Sequence, residues 1–313
     1  MSRDNKLKLG TRGSRLALAQ AETAKAALQA HHSDLEVEIV IIKTSGDRGE
    51  RTQVGAFVHE IQEAILDARV DVGLHCLKDL PVDAVPGLVL AAHLEREDSR
   101  DTLIGKVTSI DDLPLNCVVG TGSSRRTSQL ANVGPDLHYK PLVGNVDTRL
   151  RKLMEGEYEA IVLAIAGLKR LGILSGWASS EYSSLNVLPL SSEEMLPAPG
   201  QAVLVLETRE GDAFAREKVQ MFEHAETRTC ATAERAFLKA FGGGCSMPIA
   251  SLASVSSNVL HLSGLIASPD GKTLLRDSVK GSPTNPSGAA QELAELLEGQ
   301  GARDLLASLE AVR

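Results

Sequence analysis

The sequence predicts an α/β protein with two similar α/β domains flanking a cleft and a small α+β domain at the C-terminal end. Three observations carry that expectation. Strand-like and helix-like patterns alternate from residue 7 to about 94, the alternation begins again after residue 101, and the order changes beyond about 218. Both alternating runs open with a strand entering a Gly-Thr turn and a helix, "LGTRGS" at 9–14 and "VGTGSS" at 119–124.

In the first run, "LKLG" reads as a strand, an Ala-rich helix follows from about Ser14, and "VEIVIIK" is a second strand. Phe57, Ile61, Ala64, Ile65 and Ala68 fall at helical spacing, and "VDVGLHC" is a further short strand. The second run has a strand at "CVVG", helices from about Ser123 and Thr148, a strand at "AIVLAI" and a short helix. Residues 171–201, rich in Ser, Gly and Pro, read as a connection; "AVLVLE" after it is a buried strand suited to return to the first domain. The last part runs helix, three strands ("MPIASLASV", "VLHLSGLIA", "TLLRDSVK") and then helices. The expected domains are therefore 1–94 with 198–213, 101–194, and 218–313.

A chain of 313 residues exceeds one ordinary core. Its 43% hydrophobic and 24% charged residues are those of a soluble globular protein, and the net charge of -8 argues against a general nucleic-acid or anionic-membrane binder. No apolar run reaches signal-peptide or membrane-span length, so a cytoplasmic location is expected, with a plastid open if a transit peptide has been removed. Cys76, Cys117, Cys230 and Cys245 form no CxxC pair, and neither a zinc site nor a disulfide framework is expected. Cys117 sits inside an apolar strand. Cys245 follows three glycines in "AFGGGCSMPIA", a loop whose backbone freedom suits a sulfur attached to something bulky.

Any arginine cluster in so acidic a chain must serve a local purpose. Ser14 is a good N-cap, and with Arg12 and the free amides of a helix start it makes either a plain cap or an anion site. Arg125 and Arg126 stand side by side at a helix start, where the dipole disfavours positive charge; they are a solvated pair or they await an anion. Arg149 and Arg170 extend the set, and guanidiniums suit a small ligand with several carboxylates. Lys78 and Asp79 lie just past a strand, at the end where open α/β sheets bind ligands. They read as an exposed turn or as a carboxylate-binding lysine beside a general acid/base. His75 is a packed strand histidine, since no partner has metal-ligand spacing.

Nine stretches in order, "GTRGSRLALAQAE", "HCLKDLP", "EREDSRD", "GTGSSRR", "GNVDTRL", "LAIAGLKRLG", "LPAPGQ", "TAERAFL" and "GGGCSMPI", resemble the hydroxymethylbilane synthase (porphobilinogen deaminase) family over nearly the whole chain. The resemblance implies two domains similar to periplasmic binding proteins, a third carrying a cysteine loop, and a monomer. It implies a dipyrromethane cofactor joined to Cys245 by a thioether, and the head-to-tail coupling of four porphobilinogen molecules, with loss of ammonia, into a linear tetrapyrrole. Asp79 matches the catalytic aspartate; Lys78, Ser123, Arg125 and Arg126 match cofactor-side ligands, with Arg12, Ser14, Arg149 and Arg170 on the substrate side.

Some positions depart from the family. "QVGAF" at 53–57 replaces a glycine-rich segment with a lysine, and no lysine lies between Lys43 and Lys78. Val143 stands where arginine is usual, Cys76 for serine, and Ala202 for the glycine after Gln201. These departures keep open a catalytically impaired family member. A small-carboxylate binding protein of the same two-domain wiring leaves Cys245 and the third domain without a purpose. A cysteine hydrolase lacks a histidine placed to activate Cys245.

Overall fold

In the computed structural model of the chain, the described residues are 5–46, 57–134, 136–243 and 247–310. The chain begins β1 (Lys6–Thr11), α1 (Arg15–His31), β2 (Glu36–Ile41), α2 (His59–Leu66), β3 (Val72–Cys76) and β4 (Leu88–His93). It continues β5 (Asp101–Gly105), β6 (Val118–Gly120), α3 (Ser124–Val133), β7 (His138–Lys140), α4 (Val146–Met154), β8 (Ala160–Ala164), α5 (Ile165–Arg170) and β9 (Asn186–Pro189). Then come β10 (Leu204–Arg209), α6 (Ala213–Val219), α7 (Ala225–Ala240), β11 (Ile249–Ser256), β12 (Val259–Ala267), β13 (Leu274–Gly281), α8 (Pro286–Gly299) and α9 (Ala302–Glu310). Two compact units result, residues 1–97 with 202–228 and residues 98–201 with 229–313.

The first unit holds a five-stranded sheet in the order β2-β1-β3-β10-β4. β1 runs parallel to β2 and β3, whereas β10 pairs antiparallel with β3 and β4. Period-2 alternation sets β1, with Leu7 and Leu9 fully buried and Lys6 and Lys8 outward. On α1, Gln20, Ala21, Ala24 and Leu28 form the buried stripe of an amphipathic helix. Two of the helical-spacing residues fall off α2: Phe57 precedes it, and Ala68 lies past its end with φ 56. The helix has closed at Asp67 by then, so apolar spacing outlasts the helix itself.

The second unit repeats the wiring in the order β7-β6-β8-β5-β9. β6 is parallel to β7 and β8, and β5 is antiparallel to β8 and β9. β8 is apolar, and β5 is buried along its whole length, its opening Asp101 and Thr102 included, as central strands are. A Cβ on Gly120 would stand 2.7 Å from Tyr158 Cδ1, so only glycine lets β6 lie against that ring. The expected connection at 171–201 contains β9, an edge strand in register with β5 through Leu103 and Leu188. A four-residue edge strand ending at Pro189 is too short for periodicity to reveal among serines.

The antiparallel sheet β11-β12-β13 also belongs to this unit. Its core gathers Phe237 and Phe241 of α7 and its C-terminal end with Leu260, Leu262, Leu293 and Leu297. Cys230 is buried in that core, and Cys117 in the core beneath β6. Burial, aided by the charge of Glu159, pushes the Cys117 thiol above its ordinary value, the mark of a packing residue. No helix among the described residues is long and apolar enough to cross a membrane.

Candidate active site

In each unit the candidate residues gather at the carboxyl ends of parallel strands, the edge where open α/β sheets take ligands. In the first unit, Arg12 and Ser14 follow β1, and Lys78 and Asp79 follow its parallel neighbour β3. Ser14 caps α1, its hydroxyl accepting from the Ala17 N–H at 3.2 Å. The Arg12 guanidinium lies over the Phe57 ring at 4.1 Å from its centroid. Lys78 and Asp79 occupy a 3-10 turn, Leu77–Asp79, that begins where the Leu77 N–H donates to the Val203 carbonyl at 3.0 Å. Asp79 is half-buried, and its carboxylate accepts no hydrogen bond among the described residues.

Behind that turn lies a polar group that sequence reasoning placed only in part. The buried His75 Nε2 stands 3.1 Å from Glu207 Oε2 of β10, and Gln62 Nε2 of α2 donates to Glu207 Oε1 at 3.1 Å. His75 is thus packed in the strand, as expected, with a buried carboxylate beside it.

In the second unit, Ser123, Arg125 and Arg126 follow β6, Arg149 lies on α4 after β7, and Arg170 ends α5 after β8. The solvated-pair reading of Arg125 and Arg126 fails, because they are only 4% and 8% exposed. Their counter-ion is Asp101, the first residue of β5, which the antiparallel register places opposite Ala164 at the end of β8. Asp101 Oδ2 accepts from Arg125 Nη2 and Oδ1 from Arg126 Nη2, both at 2.7 Å. Arg125 Nη1 also donates to the Leu196 carbonyl at 2.7 Å and Arg126 Nη1 to that of Val162 at 2.9 Å. Gln201 Nε2 reaches both Asp101 Oδ1, at 2.9 Å, and the Ser99 carbonyl, at 2.8 Å. Burial pulls the Arg125 guanidinium below its ordinary value; Asp101 opposes the shift and Arg126 reinforces it.

Two donors at this helix start are uncommitted. Ser123 is the N-cap of α3 and makes no side-chain cap bond, and Arg126 Nε is buried without a hydrogen-bond partner among the described residues. Arg149 Nε donates to the Gly144 carbonyl at 2.7 Å. Beside it Val143, at 48% exposure, presents an apolar side chain where the resemblance expects a guanidinium. The expected roles of Cys245 and of the segment 53–56 fall outside the described residues. Among those described, no cluster of His, Cys, Asp and Glu could hold a metal ion.

Sequence reasoning did not single out Asp101, which closes the charged run "EREDSRD", or Gln201, which ends the stretch 171–201 that reads as a connection. The available signal was an aspartate opening the strand "DTLIG", whose other residues are all fit for burial.

Fold and site together define an α/β protein with two five-stranded sheets and a small three-stranded one, and with arginines gathered near strand ends. Comparison with known proteins makes this specific. The family model described as "Porphobilinogen deaminase, dipyromethane cofactor binding domain" matches residues 7–217, and that described as "Porphobilinogen deaminase, C-terminal domain" matches 228–299. The chain is 42% identical over 311 residues to the porphobilinogen deaminase of Syntrophus aciditrophicus (strain SB), covering 97% of this chain and 99% of that one. It is 42% identical over 304 residues to that of Thermus thermophilus, covering 96% and 98%. A solved structure of the methionine binding protein MetQ aligns with a TM-score of 0.45 at 17% identity, over 77% of this chain and 97% of that chain. The chain belongs to the porphobilinogen deaminase family.

Proposed function

We propose that this chain is a transferase that couples four porphobilinogen molecules head to tail, with loss of ammonia at each coupling, on a dipyrromethane primer held by Cys245, and releases hydroxymethylbilane. Family membership over nearly the full length supports this reading. The observation that carries it onto the residues is the buried arginine pair, whose Arg126 Nε is a donor with no acceptor among the described residues. Such a donor, beside the uncapped Ser123 and the N-terminal amides of α3, fits a group that carries carboxylates.

When bound, dipyrromethane supplies the terminal pyrrole carbon to which new units are added. Lys78, Ser123, Arg125 and Arg126 hold its carboxylates. Asp79 accepts hydrogen bonds from pyrrole N–H groups and stabilises the positive charge that develops as ammonia leaves; its half-buried place in the turn just past β3 supports that role. Arg12, Ser14, Arg149 and Arg170 bind the acetate and propionate groups of the incoming porphobilinogen. The working protein is a cytoplasmic monomer of three domains, 1–94 with 198–213, 101–194 and 218–313, and it needs no nucleic acid or membrane.

The intact mass of the purified protein, measured beside Cys245→Ser, tests this reading. An excess equal to two linked pyrroles, absent from the variant, is expected. An unmodified mass that persists after incubation with porphobilinogen would overturn it in favour of a catalytically impaired family member or a small-carboxylate binding protein. Val143 favours a second reading, a family member impaired in elongation. That reading predicts bound cofactor without turnover, or no cofactor at all, and a porphobilinogen-consumption assay separates it from the working enzyme.

A further inference from the structure

Asp101 has a geometry that stability alone does not explain. Its carboxylate is fully buried and is divided between two guanidiniums, so the group as a whole retains one positive charge. Burying such a set is costly, and replacing buried ion pairs by apolar residues is often neutral or stabilising. The arrangement does achieve orientation. Each arginine is pinned at two points, one Nη on an oxygen of Asp101 and the other on a backbone carbonyl.

The pins are themselves held. Gln129 fixes the Leu196 peptide from both sides: its Nε2 donates to the carbonyl at 3.0 Å and its Oε1 accepts from the N–H at 2.7 Å. Gln201 ties Asp101 Oδ1 to the Ser99 carbonyl. Each Nη of Arg126 gives an N–H to one of these pins, whereas its buried Nε–H has no acceptor among the described residues.

We propose that Asp101, braced by Gln201, is the positioning residue for Arg125 and Arg126. It fixes which donor edge each arginine presents and leaves one unit of positive charge for a carboxylate of the bound primer. This rests on the reading of the two arginines as cofactor-side ligands. Donors fixed in advance need no reorganisation when the ligand arrives, whereas guanidiniums freed to rotate lose that advantage.

The test is cofactor loading. Full-length protein prepared without porphobilinogen is incubated with it, and intact mass is followed over time at several concentrations. Asp101→Asn is expected to raise the half-saturating concentration for loading about tenfold or more, with a much smaller change in the limiting rate. A merely structural aspartate would lower the melting midpoint of the apoprotein without moving that concentration. Folded Asp101→Asn that loads with the parent's concentration dependence overturns the proposal. If this variant yields no folded protein, Gln201→Met decides, since it removes the two hydrogen bonds of Gln201 Nε2 without unpairing a charge. A rise of about threefold is expected there, and no change overturns the proposal.

Arg125→Gln and Arg126→Gln separate the two levels of inference. If both load as the parent does, the reading of the arginines falls and the proposal falls with it. If both fail while folded Asp101→Asn loads normally, only the positioning role is lost.

Discussion

The two Gly-Thr turns begin with nearly the same residues and end in opposite states. At α1, Ser14 closes its own helix by accepting from Ala17, and Arg12 rests on the face of Phe57. At α3, Ser123 leaves its cap open, and the arginines turn inward onto Asp101. In the first turn the serine is satisfied by its own helix and the arginine lies on an aromatic ring; in the second the arginines are satisfied by a carboxylate from another strand. A repeated motif therefore fixes the backbone frame of a helix start and leaves its electrostatic role to what the topology brings alongside.

The largest expected contrast is between the arginines. Arg126→Gln loses charge-assisted hydrogen bonds to Asp101 and Val162 and should destabilise the protein by about 1.5–3 kcal/mol. Arg12→Gln gives up a cation–π contact worth about 0.5–1 kcal/mol. Denaturant midpoints of the two variants measure this directly, and equal losses would erase the distinction. The serines should reverse the order. Ser14→Ala removes a working cap and costs about 1 kcal/mol. Ser123→Ala removes none and stays within about 0.5 kcal/mol.

The smallest test lies where the chain leaves the arginine centre. Ala202, next to Gln201, is buried with φ 70, a left-handed conformation that costs a non-glycine residue about 1–2 kcal/mol. Ala202→Gly should raise stability by about 1 kcal/mol at most, because glycine also gains freedom in the unfolded chain. A loss of stability would show that the methyl packs better than its backbone fits.

Most of the framework was legible because its strands and helices are periodic and uninterrupted. β1 alternates in period 2, β3 and β8 are largely apolar runs bounded by turns, and α1 carries a clear stripe. What escaped depends on contacts distant in sequence. β9 is a strand only because β5 pairs with it, and Ala68 leaves its helix although its spacing continues. The candidate site divides in the same way. Helix starts and strand ends bring forward Ser14, Asp79 and the arginine pair as candidates, since local rules govern those positions. The partner of the pair was hidden in "EREDSRD", where a cluster of charges reads as solvated surface until the fold buries its last member.

Glu234 of α7 has no exposed surface; one of its oxygens accepts from the Gly200 N–H and the other from the Ala253 N–H, each at 2.7 Å. Two amides remote in sequence thus share a single side chain as acceptor. Any fluctuation that withdraws Glu234 unprotects both, so hydrogen exchange at Gly200 and Ala253 reports one opening event, and the segment ending at Gln201 and the first strand of the C-terminal sheet come apart together or stay closed together.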